Sequence, residues 1–378
     1  MLPGRRHNNP HSRQKKLTPT SDSRRMIAGF AAQTIGRGGF SGCGALGQPV
    51  GTHGPDRASQ GEMKALGVDE KSREQKGNLL FSPLPAGALS RNDVGSFLLR
   101  RSETVLLAYF VYATIVGFCL PIASETAIFT AGVNLTLLTA YLLVGYAEQR
   151  RPGSALAALR DWAPVALVLL AYREMGWFAP AEHTYELEQG WIVWDRLLLN
   201  EWGFRAAVES WGRLLPSILE ISYALVYAVG PFSVGVLYFY GKRDAVDRFL
   251  VTYLLGALLS YSLFPYFPSE PPRAVFPGED AALDNVFRRF NWWLLGGHGI
   301  HTSVFPSAHV SSAFAAAFGL LRVMPERRWP GGLMLALAGL IFTATIYGRY
   351  HYLVDGLAGI GVGLVALGMT HWVERRTS

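Results

Sequence analysis

From Thr104 onward the hydrophobic positions fall into eight long runs, 104–123, 127–146, 162–172, 215–240, 245–267, 307–324, 331–347 and 353–372, separated by short polar stretches. Most reach the roughly 20 residues that a helix needs to cross a bilayer core. The run at 162–172 is the weak one, because Arg173 and Glu174 interrupt it. Backbone groups in lipid must find their partners within the chain, so runs of this length predict helices. The expected fold class is therefore all-α, a polytopic membrane helix bundle of about eight spans. Between the third and fourth runs, Trp191, Trp194, Trp202 and Trp211 alternate with leucines and charges. This pattern predicts amphipathic helix lying in the membrane interface.

Composition sharpens the division of the chain. Half of the residues are hydrophobic and 17% are charged, against about 25% in a soluble domain. Residues 1–98 hold five of the six lysines and none of the ten tryptophans, and show no apolar periodicity. They are expected to form a disordered N-terminal arm. Residues 99–212 read as accessory spans and interfacial helices, and 213–374 as the membrane core. The net charge of +7 is compatible with nucleic acid or with an anionic membrane surface. The order of the basic residues favours the membrane, and no nucleic-acid partner is expected. Arg100 and Arg101, then Arg150, Arg151 and Arg160, then Lys242, Arg243 and Arg248, then Arg322, Arg327 and Arg328, and finally Arg375 and Arg376 occupy every second connection. By the positive-inside rule both termini are cytoplasmic and the alternate connections face outward. A bacterial inner membrane with the outer face toward the periplasm is the expected location.

Two of the outward connections carry polar chemistry. Phe305-Pro306-Ser307-Ala308-His309 opens the sixth run, and Tyr347 to Asp355 joins the last two. Ionisable groups beside lipid are costly and point to function. His351 and Asp355 are four apart, hence on one helical face, where the carboxylate can orient the imidazole and stabilise its cation. His309 follows Pro-Ser at a predicted helix N-terminus, a position that favours an anion. Arg273 and Arg349 share that membrane face and can fork onto phosphate oxygens. Together these groups describe a phosphate site in which one histidine attacks in line and the other protonates the leaving group. No His, Cys, Asp or Glu cluster has metal-ligand spacing, and Cys43 and Cys119 form no framework, so neither a metal nor a cofactor is expected.

Arg273 after Pro-Pro, Pro306-Ser307-Ala308-His309, and His351 with Asp355 resemble the three signature motifs of the type 2 phosphatidic acid phosphatase superfamily. The resemblance covers roughly Leu215 to Trp372. It implies a helical bundle working through a histidine phosphoenzyme without metal. It also implies His351 as nucleophile, Asp355 as its orienting partner, His309 as general acid, and Arg273 and Ser307 as phosphate ligands. The chain departs from that pattern at Tyr266, where a Lys is usual, at Thr345, where an Arg is usual, and at Ala308, where a Gly is usual. These departures resemble the inositol phosphorylceramide synthase branch, with Arg349 as a partial substitute for the missing cations. The implied activity is transfer of a phospho-head-group from a membrane phospholipid to a lipid alcohol or to water. Hydrolysis of a lipid phosphate at the same site is one rival, and a non-catalytic lipid-binding or transport bundle is another.

Several polar residues have blander readings. His298, His301 and His371 read as interfacial residues, Arg288 and Arg289 as a solvated loop face, and Glu220 as snorkelling to the interface. The glycines from Gly356 to Gly363 read as a close-packing face, since no Lys-Ser/Thr follows to make a phosphate loop.

Overall fold

The computed structural model describes residues 99–151, 153–178, 183–298, 300 and 304–377. The predicted N-terminal arm lies outside the described residues, as does His301. Every element is helical. In chain order they are α1 (Arg101–Cys119), α2 (Ser124–Arg150), α3 (Ser154–Phe178), α4 (Glu186–Arg196), a π-turn (Leu197–Glu201) and α5 (Phe204–Glu209). There follow α6 (Leu214–Ala224), α7 (Val226–Phe239), α8 (Val246–Leu263), α9 (Pro272–Val275), α10 (Val286–His298), α11 (Ala308–Val323), α12 (Trp329–Tyr347) and α13 (Leu353–Thr377).

Among the described residues, six helices are long and apolar enough to cross a membrane. The run at 215–240 is instead the pair α6 and α7, bent by 66° at Leu225, and the run at 307–324 is the shorter apolar helix α11. The eight runs thus all become helix, but two of them depart from a simple span. The weak run is stronger than its composition implied: α3 continues through Arg173 and Glu174 for 25 residues, despite Pro164 within it. The stretch 268–305, expected as loop, contains the helices α9 and α10.

At one end of the bundle a buried ionic network ties α1, α2 and α3 to α7 and α8. Arg160 reaches Glu103 and Glu148, each at 2.5 Å, while Asp161 accepts from Arg100 at 2.6 Å and from Arg243 at 2.8 Å. Tyr238 also donates to Asp161, and the Ser102 hydroxyl donates to Asp247. Such charges are tolerated away from water because each one meets an opposite charge or a donor. Asn134, a polar residue within an apolar run, donates to the Phe110 carbonyl at 3.1 Å and to Thr114 at 3.0 Å, joining α2 to α1.

The centre of the bundle is α8, α11 and α13, held close by small residues. A Cβ on Gly256 would lie 2.3 Å from that of Ala315, and Ser311 donates to the Gly256 carbonyl at 2.7 Å. Small side chains let backbones approach and exchange such bonds. Gly359 of α13 faces the start of α11, where an added Cβ would lie 2.6 Å from the Ser307 carbonyl oxygen. This contact sets the spacing between the two helices that carry the histidine motifs. We therefore expect Gly359→Ala to cost about 1–3 kcal/mol through overpacking and to lower the thermal midpoint in detergent. Gly361→Ala, which meets nothing within 4 Å, should leave the midpoint in place. Equal midpoints for the two variants would show that the contact does not set the spacing.

Candidate active site

Three separated stretches meet at the other end of the bundle, and backbone hydrogen bonds join them. The Arg273 amide donates to the Arg349 carbonyl at 3.2 Å, and the Ser307 amide donates to the Asp355 carbonyl at 3.0 Å. Ser269 accepts from the Val304 amide at 3.3 Å. The relative placement of the motifs is therefore built into the main chain rather than left to side chains.

The turn that presents His351 closes α12. Its C-cap is Gly348, and Arg349 follows with φ +62°, in the left-handed region. The Tyr350 amide donates to the Thr345 carbonyl at 2.9 Å and the Arg349 amide to the Ile346 carbonyl at 3.1 Å. These are the two bonds of a Schellman motif, in which the left-handed position is usually Gly. An arginine there accepts roughly 1–2 kcal/mol of backbone strain. Its side chain supplies the compensation. The buried Arg349 guanidinium lies 2.5 Å from buried Asp195 on α4, whose other oxygen accepts the Leu353 amide at 2.8 Å. Burial pushes the Asp195 carboxyl up to about 6, with the neighbouring Arg349 pulling it down. Arg349 is not among the residues on the wall of the cavity at this end of the bundle.

Helix α4 turns one face toward this loop. Glu188 accepts from the Glu270 amide at 2.8 Å and contacts His183 at 2.7 Å, holding the first motif. Trp191 stacks on Phe305 with ring centroids 5.1 Å apart and meets Tyr352 edge-on at 5.6 Å. Glu188, Trp191 and Asp195 thus touch all three motif stretches from one side. Their i, i+3, i+7 spacing was the available signal in the sequence.

The histidines face each other at the mouth, with ring centroids 5.5 Å apart. Asp355 is fully buried, and its carboxylate lies 3.5 Å from His351 Nδ1 while accepting the Tyr352 amide at 2.9 Å. Burial, followed by the Arg273 charge, brings the His351 imidazole down to about 3, against a backbone hydrogen bond with Val304 that acts the other way. A neutral ring is the nucleophilic form. His309 sits in the first turn of α11, and its plane is set by Tyr223, which stacks on it at 5.1 Å and in turn stacks on Tyr350 at 3.9 Å. Ser307 is fully buried. Its hydroxyl accepts the Val310 amide at 3.4 Å as the N-cap of α11, and it does not line the cavity.

Arg273 reaches the site beside the Tyr350 ring, 5.3 Å from its centroid, with a long contact of 3.4 Å to the Tyr350 carbonyl. Two expectations for nearby residues need correction. Arg288 is not on a solvated face: it is 4% exposed and pairs at 3.0 Å with Glu220, itself 2% exposed. Glu220 does not snorkel; Asn291 and Tyr350 also donate to it, at 2.7 Å and 2.5 Å. A turn of interfacial helix, α10, folds back over α6 and withdraws both charges from solvent. Arg289 is exposed as expected and pairs with Asp284.

A cavity of about 430 Å³ has Arg273, His309 and His351 on its wall. The structure thus brings together three of the anticipated groups, with Asp355 behind His351. Among the described residues no group of three or more His, Cys, Asp or Glu side chains could hold a metal ion.

What the fold and site define is a helical membrane protein with two histidines facing each other on the wall of one cavity. The family model described as the PAP2 superfamily matches residues 192–369, a little under half of the chain. A PA-phosphatase related-family protein of Dictyostelium discoideum is 26% identical over 180 aligned residues, covering 41% of this chain and 32% of that protein. The chain therefore spans about a third of that relative's length. No solved structure matches.

If the Asp195 pair holds the turn that presents His351, Asp195→Leu should destabilise the protein by roughly 3–5 kcal/mol, because a buried guanidinium is left without its carboxylate. Asp195→Leu with Arg349→Met should recover most of that loss. Unfolding in denaturant would decide it, and equal stabilities for the single and double variants would remove the pair from this role.

Proposed function

We propose that the protein is an integral membrane lipid phosphotransferase acting through a phosphoenzyme on His351. The observation that carries this reading is the pair of imidazoles facing each other on one cavity wall beside Arg273, with ring centroids 5.5 Å apart. His351 Nε2, the nitrogen turned away from Asp355, attacks phosphorus as the bond to the leaving oxygen breaks. That oxygen takes the proton of His309, whose cationic form is favoured by the adjacent phosphate anion. In the second step an alcohol or water oxygen attacks the phosphorus, its proton passes to His309, and His351 is released. Asp355 stabilises the imidazolium character of His351 throughout.

Charge matching argues for the kind of substrate. Arg273 lines the cavity, whereas Arg288 and Arg349 are each already matched by a carboxylate. Tyr266 and Thr345 hold the positions where the resembled motifs carry cations, and Thr345 is buried with its hydroxyl bonded to the Phe342 carbonyl. A phosphomonoester brings nearly two negative charges and a diester one. One unmatched guanidinium and a helix N-terminus suit the diester, so the donor is a phospholipid whose head group is moved to a lipid alcohol, with water the slower acceptor. This is the reaction type of the inositol phosphorylceramide synthase branch. The alternation of basic connections supports placing the site on the outer face. The similarity to the Dictyostelium PA-phosphatase related-family protein favours simple hydrolysis as the second reading.

His351→Ala should abolish turnover and labelling of the protein by a phosphorus-labelled donor. His309→Ala should slow turnover by about 10²–10⁴-fold, the usual value of acid–base assistance. Near-normal turnover by His351→Ala would end the phosphoenzyme mechanism. The donor is settled by kcat/KM for phosphatidylglycerol against phosphatidic acid in one detergent. Preference for the diester is expected, and a clear preference for phosphatidic acid would assign the chain to hydrolysis.

A further inference from the structure

We infer that the cavity below the histidines is a channel for one hydrocarbon tail of the lipid donor, and that α3, from outside the family match, sets its length. The inference rests on the reading above for the identity of the head group, but not for the existence of the channel. One continuous void carries His309 and His351 at its mouth and Trp162 and Pro231 at its far end. Along α3 its wall runs from Tyr172 to Trp162, ten residues of helix, or about 15 Å. That is half of the roughly 30 Å hydrocarbon core, the depth one leaflet's tail occupies.

The lining matches such an occupant. Val165, Val168 and Leu169 of α3 face Val226 and Phe264 across the void, and the charged groups on the wall are those at the mouth. An apolar wall with its polar groups gathered at one end fits an amphiphile held by its head. The channel also has a way in from the side. Trp162, Leu169 and Tyr227 are on its wall yet remain 38%, 54% and 38% exposed, which opens it toward lipid along α3 and α7.

Three helices converge beside its deep half. A Cβ on Gly230 of α7 would lie 2.8 Å from the Tyr253 hydroxyl of α8 and 3.0 Å from Val165 of α3. The wall there is close-packed, so the void cannot widen sideways at that level without moving a helix. Residues 154–178 precede the matched segment 192–369, so a part of the chain that bears no catalytic motif shapes the channel.

Two measurements test this. In the first, full-length His351→Ala protein in phosphatidylcholine vesicles is irradiated with phosphatidylglycerol bearing a diazirine near its tail end. Labelling should concentrate between Trp162 and Leu169 and around Pro231. Labelling spread over the lipid-facing residues of α1 and α2, such as Phe118 and Phe129, would overturn the channel. In the second, kcat/KM is compared for long-tailed and short-tailed donors. Ala166→Phe, which fills the deep wall, should lower the long-to-short ratio by roughly tenfold, within the range that apolar pockets discriminate. Trp162→Ala should raise the ratio, and Leu143→Phe, on the lipid face of α2, should not move it. An unchanged ratio in both channel variants would also overturn the proposal. Turnover by His351→Ala would defeat the phosphoenzyme reading and leave the channel to the labelling experiment.

Discussion

A charge beside lipid must be matched, and this requirement organises the mouth of the bundle. Arg288 is matched by Glu220 and Arg349 by Asp195, both pairs nearly excluded from solvent. Neither pair is strong evidence of stability by itself, because desolvation consumes much of the attraction. Their effect is selective. They hold two arginines against carboxylates as fasteners, one drawing α10 onto α6 and the other securing the turn before His351. Arg273 is treated differently, resting on an aromatic face and a distant carbonyl. The result is a site whose electrostatic demand on its ligand is modest and well defined.

Much of this was legible in the sequence. The apolar runs anticipated the helices, and the four-residue spacing of His351 and Asp355 anticipated their proximity, although His351 lies in the turn before α13 rather than on its face. The glycines of α13 were likewise readable as a packing face, and Gly359 against Ser307 is an instance of it. What remained hidden is non-local. Nothing near Arg349 in sequence announces Asp195, so its charge counted toward phosphate. Nothing near Glu220 announces Arg288, so each was assigned to water. The tryptophans of α4 were read as interfacial, but the carboxylates on the same helix were overlooked because their partners lie far along the chain. The bend between α6 and α7 was equally unreadable, since both halves are continuous in hydrophobicity.

The division of labour between the two halves of the chain is uneven. The matched segment contributes the histidines, Arg273 and the tight α8–α11–α13 packing, while α1 to α3 contribute an ionic clamp at the opposite end and one wall of the cavity. The clamp is dense: Asp161 alone receives Arg100, Arg243 and Tyr238. It anchors α3 at its base, so the helix lines the void while being held at the end away from the histidines.

The Asp195–Arg349 contact joins residues 154 positions apart. Asp195 is made well before its partner, so while 154 further residues are added α4 carries a carboxylate without that cation to meet. His351 follows two residues after that cation. A chain released before Arg349 would hold the clamp and α4 yet lack both the fastener and the imidazole that faces His309. Completion of the last hairpin is thus the event that joins the two sides of the mouth, and until then a carboxylate destined for a buried pair stays unmatched.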